Sequence, residues 1–438
     1  MKSRVIIVGA GAAGMCAAIT AARNGADVLV LEKNQTAGKK LSMTGNGRGN
    51  LSHVGIRKED YNRNAGACLS SLFHQIAEKD VSDFFDSIGV LIREEEGGLY
   101  PYSGQASSVV EAFQSEMCQL GIPIVYRVQV KQVIPRGQTF LIKTSDSTYE
   151  ADAVILACGG MAGPKSTMSS GDGYYMAESL GMKTIPPLPA LVRLKSSDTD
   201  LPKQSGIRIE AKVTFFVREE GKKDLFMTSE EGEIQITENG ISGIPVLQAS
   251  ALVSSVLLST PIEGKCRVVA KLNLFPEYSD QEYKKICEER RKRAGNRKIG
   301  ELFNCFTHSL LKEMILKRNG LHPDTAAASL SASALNKIFQ MHRELEISIS
   351  ASDSFANAQV TAGGVSLTDV NDQLESKTVP GVFFAGELLD VNGRCGGYNL
   401  HFAWVSGMMA GRAASSFAAD RSAPASSANR PVYDMPAE

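Results

Sequence analysis

With 438 residues, 43% of them apolar and 22% charged, the chain is long enough for about three domains at roughly 150 residues each. Its composition excludes wholesale disorder, collagen-like repeats and coiled coil. The 47 Lys and Arg balance 48 Asp and Glu, so no global field steers the protein to nucleic acid or anionic lipid, and any such contact has to be local.

Eight cysteines, none at the two-residue gap of a zinc knuckle or thioredoxin-type motif, point to a reduced, cytoplasmic compartment. Lys2 and Arg4 precede an apolar stretch from Val5 to Ala22 that could pass for a signal peptide or anchor. Gly9, Gly11 and Gly14 interrupt it where a signal helix would carry leucines, so no membrane insertion is expected.

The first elements read strand, glycine turn, helix. Val5-Ile6-Ile7-Val8 suits a buried parallel strand, Gly9-Ala10-Gly11-Ala12-Ala13-Gly14 is the turn, and Met15 to Asn24 favours helix, ending at Gly25. A second strand, Val28 to Leu31, carries Glu32 at its end, followed by Lys33. Gly9 makes the tight turn, Gly11 leaves room for a pyrophosphate and Gly14 lets helix and strand pack closely. The free N–H groups and partial positive charge of the helix N-terminus suit phosphate, with Ala12 and Ala13 of the turn among the candidate cofactor contacts, while Glu32 would accept from a ribose. A glycine-rich turn alone can be purely structural. With the strand before it, the helix after it and the acid 18 residues past Gly14, it indicates dinucleotide binding without separating FAD from NAD. The segment Gly38 to Asn50, with Lys39, Lys40 and Arg48 among its glycines, suits a second contact with an extended cofactor; a solvated loop is the alternative.

Further on, Leu69 to Ile88 reads as amphipathic, Ile122 to Val133 and Thr139 to Thr144 as strands, and Ala153 to Leu156 as a buried strand running into Ala157, Cys158, Gly159 and Gly160. Cys158 reads as a small buried hydrophobe rather than a redox thiol. Gly171-Asp172-Gly173 opens a helix over Tyr174 to Leu180. The texture changes at Ile185 to Pro189. Residues 190 to 275 read as strands and turns, and Ser279 to Leu345 as helices, an insertion with a β-rich and a helical part. Between 281 and 300, eight cations including Lys284, Arg291 and Lys298 outweigh three acids by five charges. A solvated helix face is the default, an anion or RNA contact the alternative, and no interleaved aromatics favour the latter.

Glycines return at Thr361 to Val365, and the segment from Val379 reads as a buried strand emerging at Gly386-Glu387. Asn392 to Leu400 then leads into a helix from His401 to about Ser416, whose N-terminus would stabilise negative charge on a reduced ring system. Gly407 and Gly411 on it read as a close-packing pair, and the Ala-, Ser- and Pro-rich tail from 418 as disordered. The boundaries so drawn are 1–189 and 351–417 for one discontinuous domain, 190–278 for a β-rich insert and 279–350 for a helical insert.

Together the fingerprint at Gly9, the Thr44 to Asn50 loop, Gly240-Ile241-Ser242-Gly243, Thr361 to Val365 and Gly396 to Leu400 resemble the BaiN-like FAD-dependent oxidoreductases, also called aminoacetone oxidase family FAD-binding enzymes, from about residue 4 to 415. The resemblance implies a glutathione-reductase-type, Rossmann-like FAD domain of α/β class, interrupted by an insert with a β-barrel part and a small helical part. It implies that Gly9, Gly11, Gly14 and Glu32 hold the ADP half of FAD and that Lys40, Thr44, Gly45, Asn46, Gly47, Arg48 and Asn50 hold its central part. Val130 would lie near the adenine, Gly386 and Glu387 at the ribitol, and Gly397, Asn399 and Leu400 at the ring. Gly49 stands where the family usually has Cys, which excludes thiol chemistry there, and His401 where Gln is common, which puts either an acid or, as the favoured reading, a structural imidazole near the flavin.

The function so implied is hydride transfer from NAD(P)H, a transient donor, through FAD to a small organic acceptor such as an enone-like C=C bond of a steroid-type molecule, bound between the FAD domain and the insert. Tyr398, His401 and Arg394 are the candidates for proton donation or polarisation. Amine oxidation with O2, a flavin-containing RNA-binding or RNA-modifying protein, and an inactive redox sensor are the alternatives.

Overall fold

The computed structural model describes residues 4–259 and 266–422. The chain divides into two compact units, one formed by residues up to Pro187 and from Ala362 onward, the other by Leu188–Thr361.

The first unit is organised by a five-stranded parallel sheet. Its order is Val382–Phe384, Ala153–Leu156, Arg4–Val8, Asp27–Leu31 and Ile124–Val125, with the fingerprint strand in the middle. Val5, Ile6 and Ile7 are fully buried, as a strand covered on both faces requires. A three-stranded antiparallel meander, Val130–Arg136, Thr139–Thr144 and Thr148–Ala151, belongs to the same unit. Two helices, Ala12–Arg23 after the fingerprint and Tyr398–Ser422 at the far end, pack on each other. Close packing needs their small residues: a Cβ at Gly407 would stand 2.5 Å from Ala13 O, and one at Gly411 2.6 Å from Ala17 O. The far helix starts three residues before the expected His401 and runs through Ser422, so residues 418–422 are helical; the rest of the tail lies outside the described residues. The amphipathic stretch is two helices, Gly66–Gln75 and Glu78–Ser87, broken where Ile76 turns extended.

The second unit holds a closed antiparallel barrel in the order Leu194–Ser196, Gly240–Ser242, Leu225–Thr237, Arg208–Glu219, Cys266–Asn273 and Leu345–Ser352. Two elements depart from the sequence reading. Ile244–Ser259, read as part of a strand-rich region, is a helix, and its buried Val246, Ala249, Ser250, Val253 and Ser254 recur at helical spacing. Leu345–Ser352, read into the helical part, is the barrel strand that pairs with both Cys266–Asn273 and Leu194–Ser196. The helices Asp280–Lys292, Ser309–Arg318 and Ala332–Arg343 complete this unit.

His342, on the last of these helices, has no exposed surface. Its Nδ1–H donates to Ile338 O at 2.8 Å, its ring lies flat on Phe303 at 5.0 Å, and its Nε2 has no partner. Burial pushes this imidazole down from 6.5 to about 4. The folded chain therefore keeps it neutral while the unfolded chain takes up a proton below pH 6.5. Its contribution is present above that pH and is lost as pH falls toward 4, by about 3 kcal/mol in all. His342→Phe is expected to flatten the acid limb of urea-midpoint against pH between 6.5 and 4; an unchanged slope would refute this origin.

Candidate functional site

The site is built at the carboxyl ends of the parallel strands, where open α/β sheets leave a crevice. Gly9 has φ +104°, a conformation that side chains resist, and its N–H donates to Leu31 O at 2.8 Å. A Cβ on Gly9 would lie 2.5 Å from Ala157 O, and one on Gly14 only 1.9 Å from Gly9 O. At Gly11 it would meet nothing within 4 Å, so open space stands before the first turn of the helix carrying Ala12 and Ala13. That turn presents N–H groups without intrahelical acceptors, which suits a pyrophosphate.

Glu32 is buried and accepts from Ala10 N at 2.6 Å and from Asn34 N at 2.7 Å, so it fastens the glycine turn to the second strand. Asn34 donates to Glu32 through Nδ2 at 2.8 Å and keeps its buried Oδ1 without a partner. The backbone of Arg127 and Val128 donates to Asn34 O and Glu32 O, which brings Val130 to this end of the crevice. Lys33 turns away from the helix start and binds Ser170 Oγ at 2.6 Å and Asp172 Oδ2 at 3.1 Å. Its ammonium orders the start of helix Asp172–Ser179.

Across the crevice, Lys40 Nζ meets Glu387 Oε2 at 2.5 Å. This ion pair joins the loop after the second strand to Gly386-Glu387, and Gly386 N–H donates to Ser406 Oγ at 2.9 Å. Ala157 N donates to Val8 O, and Gly159 and Gly160 follow at the same strand end. In the glycine-rich loop, Thr44 Oγ1 donates to Leu41 O, and Gly45 and Asn46 turn left-handed before Gly47. Arg48 pairs with Glu95 and lies over the Tyr100 ring at 4.6 Å. Asn50 Nδ2 donates to Tyr100 Oη at 3.0 Å, while its Oδ1 is buried and unpartnered. At Gly397 a Cβ would come within 2.7 Å of that oxygen and 2.4 Å of Ser52 O, so only glycine fits.

The loop 393–397 is held from inside by Asn399, whose Oδ1 accepts from Gly393 N at 2.8 Å and whose Nδ2 donates to Gly393 O at 3.0 Å. Asn399 and Leu400 thus offer backbone N–H groups of the helix start rather than a free side-chain amide. Tyr398 is half-buried, stacks on His53 at 5.1 Å and meets Tyr61 edge-on, and burial raises its hydroxyl above the usual phenol value. Arg394 is half-buried on the same loop.

Of the two readings of His401, a structural imidazole and an acid, the geometry favours the first. It is 1% exposed, Ser52 Oγ lies 2.8 Å from its Nδ1, and burial lowers its pKa to about 4. A neutral imidazole at pH 7 has no imidazolium proton to give; it links the helix to strand Ser52–His53. Cys158 is equally inert, its thiol pushed up to about 12 by burial.

Sequence reasoning missed Asn34, Ser52 and Trp404. Trp404 is the chain's one tryptophan, fully buried, and its Nε1 donates to Leu51 O at 2.8 Å, between Asn50 and Ser52. Its singularity among apolar neighbours was the available signal.

A strand, a glycine turn, an acid-fastened second strand and a returning C-terminal helix define a dinucleotide-binding Rossmann-type protein assembled from both ends of its chain. Residues 3–413 match the family described as HI0933-like protein Rossmann domain, and the chain belongs to that family, the BaiN-like FAD-dependent oxidoreductases. It is 35% identical over 415 residues to a 3-dehydro-bile acid delta(4,6)-reductase of Clostridium scindens, covering 94% of this chain and 99% of that one. It is 27% identical over 414 residues to a ribosomal RNA dihydrouridine synthase of Haemophilus influenzae, covering 92% and 96%. Among solved structures, 3-ketosteroid delta1-dehydrogenase from Sterolibacterium denitrificans shares the fold with TM-score 0.50 at 11% identity, covering 95% of this chain and 99% of that one. No helix among the described residues is long and apolar enough to cross a membrane.

Proposed function

We propose that the protein holds FAD along the crevice and reduces a C=C bond conjugated to a carbonyl in a steroid-type small molecule, with NAD(P)H as electron donor. The observation that carries this reading is the 35% identity, across nearly the whole of both chains, to the bile acid reductase. The residues present fit the cofactor. Open space before the fingerprint helix suits the pyrophosphate, and two buried acceptors without donors, Asn34 Oδ1 and Asn50 Oδ1, stand where sugar or ribitol hydroxyls can donate.

Bound FAD supplies the hydride carrier, and the chain supplies position and a proton. Gly9, Gly11 and Gly14 seat the diphosphate, and the Lys40–Glu387 pair closes the middle of the path. The start of helix Tyr398–Ser422 directs its N–H groups toward developing negative charge. Tyr398, like any phenol, is protonated at neutral pH, burial holding its pKa above the usual value, and is the donor in this reading; Arg394 polarises the carbonyl. In the net reaction the hydride goes to the far alkene carbon and the proton to the carbon beside the carbonyl. NAD(P)H becomes NAD(P)+.

Anaerobic NADH or NADPH is expected to bleach the flavin, and a 3-oxo-4,6-diene bile acid to restore its colour with a product two mass units heavier. Tyr398→Phe is expected to lower this turnover by about 10²-fold while retaining flavin. Flavin that neither donor bleaches would overturn the reductase reading, and full turnover by the variant would remove Tyr398 as donor. A second reading, reduction of a uridine in ribosomal RNA, is favoured by the name of the 27%-identical relative. Uridine's ring also carries a C=C bond conjugated to a carbonyl. Product analysis of an rRNA transcript under the same conditions separates the two.

A further inference from the structure

Within the Leu188–Thr361 unit, the outer wall of the barrel and two helices border an open cavity of about 700 Å³ to which the proposed reduction assigns no role. Strands Arg208–Glu219 and Cys266–Asn273 form one side, helices Asp280–Lys292 and Ala332–Arg343 the other. Its apolar lining is Phe216, Tyr283, Cys287 and Phe339, and its neutral hydrogen-bonding groups are Thr214, Asn273, Asn336 and Gln340. Five cations line it against the acids Asp280, Glu288 and Glu344.

Two of those cations are engaged. Lys271 pairs with Asp224 and Glu346 and lies over Phe216, and Arg343 pairs with Asp280. Lys212, Lys284 and Arg291 are exposed and take part in none of the ion pairs among the described residues. Part of the basic run singled out in the sequence is therefore the rim of a cavity.

We infer that this cavity binds a phosphorylated nucleoside, through Lys212, Lys284 and Arg291 to the phosphate and through the apolar and amide lining to the base and sugar. The volume suits a ligand of nucleotide size. Thr214 is bonded to Ser229, Asn273 Oδ1 accepts from Phe275 N–H and Gln340 Nε2 donates to Glu344, so Asn336, Asn273 Nδ2 and Gln340 Oε1 are the groups that match the edges of a base and ribose, which a steroid's hydrocarbon body would leave unused. The inference goes beyond the proposed reduction and does not depend on its substrate. The nucleotide comes either free or as one unit of a single strand.

The test titrates flavin-loaded protein with ADP and, separately, with a labelled oligouridylate, monitoring flavin absorbance so that cofactor displacement is seen. Saturable ADP binding at constant flavin, weakened at least 10-fold by K284E/R291E, is the expected result. The matched double variant K285E/K292E, on the same helix but outside the lining, is expected to bind within about 3-fold of the parent. Turnover should be the same in all three proteins. Comparable affinity for ADP and oligomer identifies the free nucleotide. Affinity for the oligomer alone, falling with salt, identifies the strand. Saturable binding of neither probe, or equal loss in both double variants, overturns the inference.

Discussion

Gly14→Ala is expected to yield colourless protein that melts well below the parent. The added Cβ would sit 1.9 Å from Gly9 O, and that oxygen belongs to the turn itself, so no flexible side chain can yield. Gly9 has little room to retreat, since an atom placed where its Cβ would be lies 2.5 Å from Ala157 O. Overpacking costs about 1–3 kcal/mol where a core adjusts, and this site lies at or above the top of that range. Gly11→Ala provides the contrast. Its Cβ meets nothing within 4 Å, so the apoprotein should melt as the parent does. The methyl group would nevertheless occupy the space before the helix start, and FAD affinity should fall at least about 10-fold, or about 1.4 kcal/mol. Parental FAD affinity in Gly11→Ala would displace the pyrophosphate from this turn.

The second large effect is expected at Trp404. Its indole stacks on Phe113 at 5.5 Å, meets Phe85 edge-on at 5.2 Å and donates to Leu51 O. Trp404→Ala removes all three and should cost about 3–5 kcal/mol by urea denaturation. Trp404→Phe keeps most of the packing but leaves Leu51 O buried without its donor, a loss of about 1–3 kcal/mol. Leu51 lies between Asn50 and Ser52, so this milder variant should also weaken FAD binding, measured by flavin fluorescence. Stability loss with unchanged FAD affinity would show that the indole supports only the core.

The fingerprint was legible because its physics is local: strand, turn and helix follow within 20 residues, and each glycine answers to a neighbour close in sequence or to the next strand. The Lys40–Glu387 pair was legible only as two separate motifs, since 347 residues separate its members. Helix Ile244–Ser259 was missed because valines at 246, 253 and 256 favour strands; its helical spacing shows in which residues are buried, not in which are apolar. The strand at 345 carried a plain signal, Leu345-Glu346-Ile347-Ser348-Ile349 alternating apolar and polar, that was absorbed into the helices before it. His401 stayed open between an acid and a structural imidazole because a titratable residue beside a motif says nothing of its solvent access; its 1% exposure favours the structural role.

The parallel sheet takes its edge strand, Val382–Phe384, from beyond the insert. During synthesis the fingerprint strand and Ala153–Leu156 leave the ribosome long before that partner and before the helix that covers Ala12–Arg23. At roughly 5–20 residues per second, the intervening Leu188–Thr361 alone takes on the order of ten seconds or more to translate. Throughout that interval an apolar helix face and an unpaired strand edge stand open, and even the barrel's last strand, Leu345–Ser352, emerges before that partner. The cofactor crevice is therefore the last part of the molecule to exist, and a nascent chain stalled in the insert carries the nucleotide fingerprint without the residues at 386–400 that complete its site.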